Sequence, residues 1–389
     1  MEKKRSKIFG KPKDSAFRQQ RLRAWQPVLR PSVVIPGLFI IGILFLPIGG
    51  LLYWNSGKLQ EIMINYTSCY RYDRPIYLAP QMYSYRFENS PKYDINNAHP
   101  ILASPPTFYS KDTTEFLRDD DDPTYKNPNQ ITIKQCVVDF TVPTTIQGPI
   151  YMFYRLTQFY QNHRQYIKSV DTNQLLGIAS DQGTVSSNCH PLSVNNTNQK
   201  IIYPCGLVAN SLFNDTYSNL TLINNDNNGP VTNIVTYNLT RKGLTWPTEY
   251  QKYGNTQYTL DQITPPPNWS VRYPGGQYTP EFPPPDLSTS MEKLKVWMTL
   301  GALPDFRKIW GKNDQSLAAG RWRILIDSNY NTTKFGGEKW LVISNSSPLG
   351  SRNFYLGLTY MGVGGFCLIL GILFTVMHCI KPRKLEKYN

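Results

Sequence analysis

The chain is poor in the residue types that enzymes use most. It has only four histidines, at positions 99, 163, 190 and 378, and six cysteines among 389 residues. No DKTG phosphorylation motif, P-loop, G-x-S-x-G elbow or H-E-x-x-H pair occurs in it, so the recognisable routes to phosphoryl transfer, acyl transfer and zinc hydrolysis are missing. We therefore expect no catalytic residue, no cofactor and no metal site. Charge is absent from two stretches. Val33 to Trp54 carries no charged side chain, and Phe354 to Ile380 has no Asp, Glu, Lys or Arg, with His378 its one histidine. As a helix, the 22 residues of the first stretch span roughly 33 Å, which matches a hydrocarbon core of about 30 Å.

The charge that is present is unevenly placed. Lys and Arg number 41 against 27 Asp and Glu; residues 1–32 hold ten basic and two acidic side chains, and residues 381–389 hold four and one. The stretch between the apolar runs is nearly balanced, so the excess belongs to the tails. A nucleic-acid domain would gather its basic residues on a folded surface with motif support, and neither occurs. Arg21, Arg23 and Arg30 precede the first run, and Lys381, Arg383 and Lys384 follow the second. The positive-inside rule then places both ends in the cytosol. A cleavable signal peptide competes for the first run, but that run is long, begins some thirty residues in, and is followed by no small-x-small cleavage pattern.

The expected organisation is a basic cytosolic tail at 1–32, membrane helices at 33–54 and 354–380, and a short cytosolic tail at 381–389. Residues 55–353 then form one luminal or extracellular domain. Cys69, Cys136, Cys189 and Cys205 fall in that domain, whereas Cys367 and Cys379 lie in the second span. Four thiols allow three pairings. We favour Cys69 with Cys136 and Cys189 with Cys205, because sequential pairs close the shortest loops as the chain emerges. A zinc site is the rival use, but no C-x-x-C or His pair accompanies these residues. Glycosylation sequons occur at Asn65, Asn195, Asn214, Asn219, Asn238, Asn268, Asn331 and Asn345, all between the spans. The acidic run Asp119 to Asp122 lacks the glycine and spaced ligands of a calcium loop.

Within the domain, Ile131 to Val142, Ile150 to Arg155, Arg321 to Tyr330 and Lys339 to Ser344 are rich in β-branched and aromatic residues bounded by turn formers, which predicts strands. Leu156, Phe159, Tyr160, His163, Ile167 and Val170 recur at three- and four-residue steps and predict one face of a helix; Leu294, Trp297 and Met298 predict a shorter one. Residues 196–285 are dense in Asn, Pro and Tyr and predict ordered loop. The fold class is thus a membrane protein with two transmembrane α-helices and a large β-rich, α+β domain outside the cytosol. Antiparallel sheets, short helices, long loops and disulfides make up that domain.

FRQQRLRAWQP at 17–27, YRLTQFYQNHRQYIKSVDTNQLLG at 154–177, PCGLVANSLFNDT at 204–216, PPPNW at 265–269 and ALPDFRK at 302–308 occur in that order. Together they resemble the cell-division-cycle-fifty / ligand-effect-modulator family, the accessory β subunits of type-IV P-type ATPases, which are phospholipid flippases. The stretch 70–130 matches least. The resemblance implies a non-catalytic subunit and chaperone that binds the ATPase one to one. It would be required for the pump to fold, to leave the endoplasmic reticulum for the Golgi, endosomes or plasma membrane, and to move phospholipid to the cytosolic leaflet.

Several residues follow as partner-binding candidates. Phe17, Arg18, Arg21 and Trp25 would lie along the membrane surface and touch the pump. Asn210, Phe213 and Asn214 would be presented in a loop held by the Cys189 bridge. In the spans, Gly37, Gly42, Gly49 and Gly50, with Gly357, Gly362, Gly364, Gly365 and Gly371, allow close helix approach, and Gly362 is taken as a contact to the pump. A two-span ligand-gated cation channel has the same outline, but its pore needs polar or acidic lining, and neither run has an Asp or Glu. A tethered ectoenzyme lacks a catalytic constellation.

Overall fold

The computed structural model describes residues 15–17, 30–87, 105–114, 132–223, 235–269, 272–345 and 353–381. The chain divides into two compact units, residues 1–54 with 353–389 and residues 55–352. The first apolar run forms α1 (Pro31–Lys58), which continues through Pro36 and Pro47. Prolines are tolerated in membrane-type helices because neighbouring groups re-satisfy the freed carbonyls.

The larger unit begins with β1 (Glu61–Asn65), β2 (Ile76–Tyr77), β3 (Tyr83–Arg86), β4 (Thr107–Thr113), β5 (Ile133–Val142) and β6 (Ile150–Leu156). Short helices α2 (Arg164–Lys168), α3 (Thr172–Leu175) and α4 (Gln182–Asn188) follow. Next come β7 (Ile201–Ile202), α5 (Gly206–Asn210), β8 (Thr216–Tyr217), β9 (Leu220–Leu222), β10 (Thr236–Tyr237) and β11 (Ile263–Thr264). The unit closes with α6 (Glu292–Met298), β12 (Phe306–Asn313), β13 (Gly320–Asp327) and β14 (Lys339–Asn345). The second apolar run is α7 (Phe354–Ile380), whose first turn is capped by Asn353, its side chain accepting from the Tyr355 and Leu356 amides.

Two antiparallel sheets carry the domain. One has the order β12-β6-β14-β1-β3, the other β10-β9-β13-β5-β4-β2 with β8 also on β13; a separate pair, β11 with β7, is parallel. Alternation explains how they pack. In β6 the residues Ile150, Met152, Tyr154 and Leu156 are buried and those between are half-buried; in β13 Trp322, Ile324 and Ile326 are buried. Period-two side chains put one face of each sheet inward, and these faces contribute to a single core. The four strands expected from the sequence are present. Disulfides join Cys69 to Cys136 and Cys189 to Cys205.

One expectation fails. The helix anticipated over 156–170 is instead the end of β6, a turn, and only five residues of α2. Gln158 takes a positive φ, the Thr157 amide donates to the Glu338 carbonyl and the Phe159 amide donates to the Pro304 carbonyl. Pairing with distant chain outweighs the local helical spacing. Phe159 still points into the core, where its ring meets Trp297, Phe306 and Phe335.

Candidate partner interface

In the helix pair, glycines make the closest approaches. A Cβ on Gly49 would lie 2.7 Å from the Met361 amide nitrogen, and one on Gly357 would lie 2.7 Å from the Tyr53 amide nitrogen. Gly42 faces Leu368 and the Gly364 carbonyl, Gly364 faces Leu46, and Gly371 faces the Phe39 ring. The glycines recur every seven residues on each helix, so one face of each approaches the other backbone to backbone, antiparallel. Phe45 against Tyr360 and Tyr53 against Phe354, each with ring centroids 5.1 Å apart, fill the flanks. In a hydrocarbon solvent such packing supplies cohesion that apolar burial cannot.

The remaining glycines behave differently. Nothing lies within 4 Å of a Cβ built on Gly37, Gly50, Gly362 or Gly365. Gly362 and Gly365 therefore leave a notch on the side of α7 turned away from α1. Spacing alone did not distinguish the two sets; the contact partners do.

In the domain, the motifs that are far apart in sequence come together. Arg155 donates two hydrogen bonds to the Asp305 carboxylate, through Nε at 2.7 Å and Nη2 at 2.5 Å. The Gly301 amide donates to Gln161 Oε1 at 2.8 Å, and Asn162 Nδ2 donates to the Ala302 carbonyl at 3.0 Å. The tip of this assembly exposes Tyr160 (60 %) and Leu303 (67 %).

PCGLVANSLFNDT is clamped from several sides. Trp269 Nε1 donates to the Ala209 carbonyl at 3.0 Å and Trp297 Nε1 to the Val208 carbonyl at 2.9 Å. The Tyr330 hydroxyl donates to the Ser211 carbonyl at 3.2 Å. Asn210 Oδ1 accepts from the Asn268 amide at 2.9 Å, and the Asn210 carbonyl accepts from Asn268 Nδ2 at 3.1 Å. Gly206, at a φ of +94°, lies where a Cβ would strike the Ser169 carbonyl, so only glycine fits this approach.

This corrects the picture of a presented loop. Phe213 is only 4 % exposed, with its ring stacked on Tyr154 at 4.0 Å, because the segment's apolar side is part of the core. Asn210 is occupied with Asn268, and Asn214 has its Oδ1 buried and its carbonyl bonded by Asn329 Nδ2. Phe213 thus belongs to the core, while Asn210 and Asn214 are half-buried and tied to neighbouring chain. Phe17 is 76 % exposed; Arg18, Arg21, Trp25 and the run Asp119 to Asp122 lie outside the described residues.

Beneath the assembly lies a charge network that the sequence did not signal. Asp215 accepts from Lys339 Nζ at 2.7 Å, from the Tyr66 hydroxyl at 2.9 Å and from the Tyr330 amide at 2.6 Å. The side chains of Asp215, Lys339 and Tyr66 are all buried. Burial, and then Asp215 and Tyr217 beside it, push the Tyr66 hydroxyl well above the usual phenol range. The network ties β1's end to β8 and β14 and is structural. Among the described residues no group of three metal-ligating side chains occurs.

The sequons are spread over the domain. Asn238, Asn268 and Asn331 are exposed, and Asn195, Asn214, Asn219 and Asn345 are half-buried. Asn65 is 7 % exposed at the end of β1, not on the surface loop its sequon suggests.

A pair of membrane-length helices carrying a disulfide-bonded antiparallel domain is the plan of a membrane-anchored binding protein. The chain belongs to the LEM3 (ligand-effect modulator 3) / CDC50 family, whose profile matches residues 52–384. It is 40% identical over 385 residues to the phospholipid-transporting ATPase accessory subunit CDC50 of Chaetomium thermophilum, covering 96% of this chain and 89% of that one. It is 35% identical over 383 residues to the accessory subunit CRF1 of Saccharomyces cerevisiae, covering 97% and 88%. Cell cycle control protein 50A of Bos taurus is 32% identical over 381 residues, covering 95% and 89%.

Proposed function

We propose that this protein is the non-catalytic accessory subunit of a phospholipid-transporting P-type ATPase, with which it forms a one-to-one complex in the membrane. The observation that carries this reading is the 40% identity to a subunit of that name along nearly the whole of both chains. The helix pair supports it physically. One glycine face is spent on α1 with α7, while Gly362 and Gly365 stay open and offer a notch that a further helix can enter. The domain faces the lumen or the cell exterior, where disulfides persist, and both ends face the cytosol. There the basic tail, with Phe17, Arg18, Arg21 and Trp25, meets the membrane surface and the pump. In this role the subunit supports the pump's folding and its exit from the endoplasmic reticulum. It also supports transport of phospholipid to the cytosolic leaflet, the pump alone hydrolysing ATP. The channel reading has no acidic residue in either span to line a pore.

The test is affinity purification of the tagged full chain in mild detergent. A larger multispan ATPase is expected at one-to-one stoichiometry, and Gly362→Leu together with Gly365→Leu should lower its recovery by about tenfold, the loss of roughly 1.4 kcal/mol of association. A homotrimer without an ATPase overturns the reading; full recovery with the double variant removes the notch from it.

A further inference from the structure

A polar groove of about 610 Å³ opens on the domain where the chain around β9 and β10 meets the end of β12. Its size falls in the usual range of about 300–1,000 Å³ for ligand sites, yet its lining is unlike an apolar pocket. Two of its lining residues, Asn219 and Asn238, each begin an Asn-Leu-Thr sequon, and Asp314 and Gln315 line it with exposed side chains.

The walls are tied before any ligand arrives. The Thr240 amide donates to the Lys312 carbonyl and the Lys312 amide to the Thr240 carbonyl, both at 2.9 Å. Asn313 Nδ2 donates to the Asn238 carbonyl at 2.6 Å, and the Tyr237 hydroxyl donates to the Gln315 carbonyl at 2.6 Å. A site held open in this way costs little to order on binding.

Asn219 is fixed in the same manner. It is half-buried, and its Oδ1 accepts from the Leu239 amide at 3.0 Å, which sets the plane of the side-chain amide and leaves Nδ2 as the atom that can carry a sugar. Attachment forms a bond from Nδ2 to C1 of the first sugar. The C1–O bond to a lipid-diphosphate donor breaks, and one Nδ2 proton leaves with the diphosphate. Oδ1 keeps its lone pairs, so the bond to Leu239 survives.

We propose that the groove is an intramolecular carbohydrate site, in which the proximal sugars of an N-linked glycan on Asn219 lie against Asp314 and Gln315. The Asp314 carboxylate accepts from sugar hydroxyls, and the Gln315 amide donates to the acetamido carbonyl of N-acetylglucosamine. Among the described residues no hydrogen bond fixes the Asn238 side-chain amide in this way, and Asn238 is exposed, so a glycan there projects into solvent. The inference rests on the domain being luminal.

The experiment uses the full chain made in a eukaryotic host and purified in mild detergent. It is treated in its native state with a peptide N-glycanase in ¹⁸O water, and release at each sequon is followed by mass spectrometry. Asn219 should be occupied and released at least about tenfold more slowly than Asn331, then at an equal rate once the chain is unfolded. Asp314→Ala with Gln315→Ala should bring the native rate at Asn219 up by about tenfold, as expected for two lost hydrogen bonds. Release at the Asn331 rate, an empty Asn219 beside occupied sequons, or a rate indifferent to the double variant overturns the proposal. Absence of glycan at all eight sequons would instead overturn the luminal placement, and this site with it.

Discussion

In the helix pair the two elements meet through glycines and a few flanking rings, whereas the domain, besides close glycine approaches such as Gly206 on the Ser169 carbonyl, is held by clustered aromatic rings, disulfides and a buried ion pair. The first unit has Gly49 and Gly357 at backbone distance from the opposite helix and apolar side chains such as Ile43 and Phe366 exposed around it. The second has Tyr154 stacked on Phe213 and Lys339 locked to Asp215. The solvent explains the contrast. In water, removing a large apolar side chain from solvent contributes about 1.5–3 kcal/mol, so rings are collected inside. In lipid that gain vanishes, and what remains is the attraction of close surfaces. The same chain is therefore expected to be sensitive to loss of volume and charge in one unit and to gain of volume in the other.

The largest effect is expected at Asp215. Asp215→Ala strands the Lys339 ammonium, whose side chain is 3% exposed, and should cost about 3–5 kcal/mol, seen as a lowered Tm of the purified full chain by near-ultraviolet circular dichroism. Asp215→Ala with Lys339→Met should be less damaging than Asp215→Ala alone, because no unpaired charge is then left inside. A double variant as unstable as the two single losses summed would mean that packing, not charge, dominates here.

Such pairs mark the limit of what the sequence discloses. The strands over 133–142, 150–156, 320–327 and 339–345 were legible because β-branched and aromatic residues cluster there between turn formers. The membrane-length helices were legible by charge absence and length. Strand β12 was not, because Arg307, Lys308, Gly311 and Lys312 break its apolar pattern, and Arg307 finds its partners in Glu61, 246 residues away, and the Phe153 ring. Likewise β1 is five residues long, too short to stand out beside the first span. Over 156–170 the spacing misleads, since a repeat of three and four residues cannot reveal that Thr157 and Phe159 bond to distant chain. For the partner interface, the sequence marked the glycines but could not sort Gly357 from Gly362, because orientation about a helix axis depends on the neighbour.

A moderate effect is expected from that sorting. Gly357→Leu places side-chain atoms against the Tyr53 amide and the Gly49 carbonyl; backbone cannot yield as a side chain can, and overpacking of this kind costs about 1–3 kcal/mol. Cysteines introduced by Phe45→Cys and Tyr360→Cys, where the two rings meet, should cross-link readily through a short bis-maleimide. Adding Gly357→Leu should suppress the cross-link by roughly fivefold, about 1 kcal/mol, while Gly362→Leu should leave it unchanged. Equal suppression by both would erase the distinction between an inner and an outer glycine face.

The smallest effect lies at Lys308, where the domain tolerates a cation without a carboxylate partner among the described residues. Its ammonium donates to the Val296 carbonyl at 3.1 Å and to the Thr299 carbonyl at the end of α6. Trp297 and Phe306 lie within 5.6 Å and 5.4 Å of it. Burial lowers its pKa to about 7, while in the unfolded chain it titrates near about 10.4. Between those values the unfolded state binds more protons than the folded one, so this residue makes stability rise with pH across the window and contributes no slope below about 7. Lys308→Met removes the titration but also two hydrogen bonds, so the sign of its effect at one pH is not diagnostic, whereas the slope is. From pH 7.5 to 8.5 the native chain should gain up to about 1.4 kcal/mol over the variant, one pKa unit's worth, measured by paired denaturant titrations. Parallel curves for the two proteins would mean that Lys308 keeps its proton in the fold, held by the two carbonyls and the flanking rings.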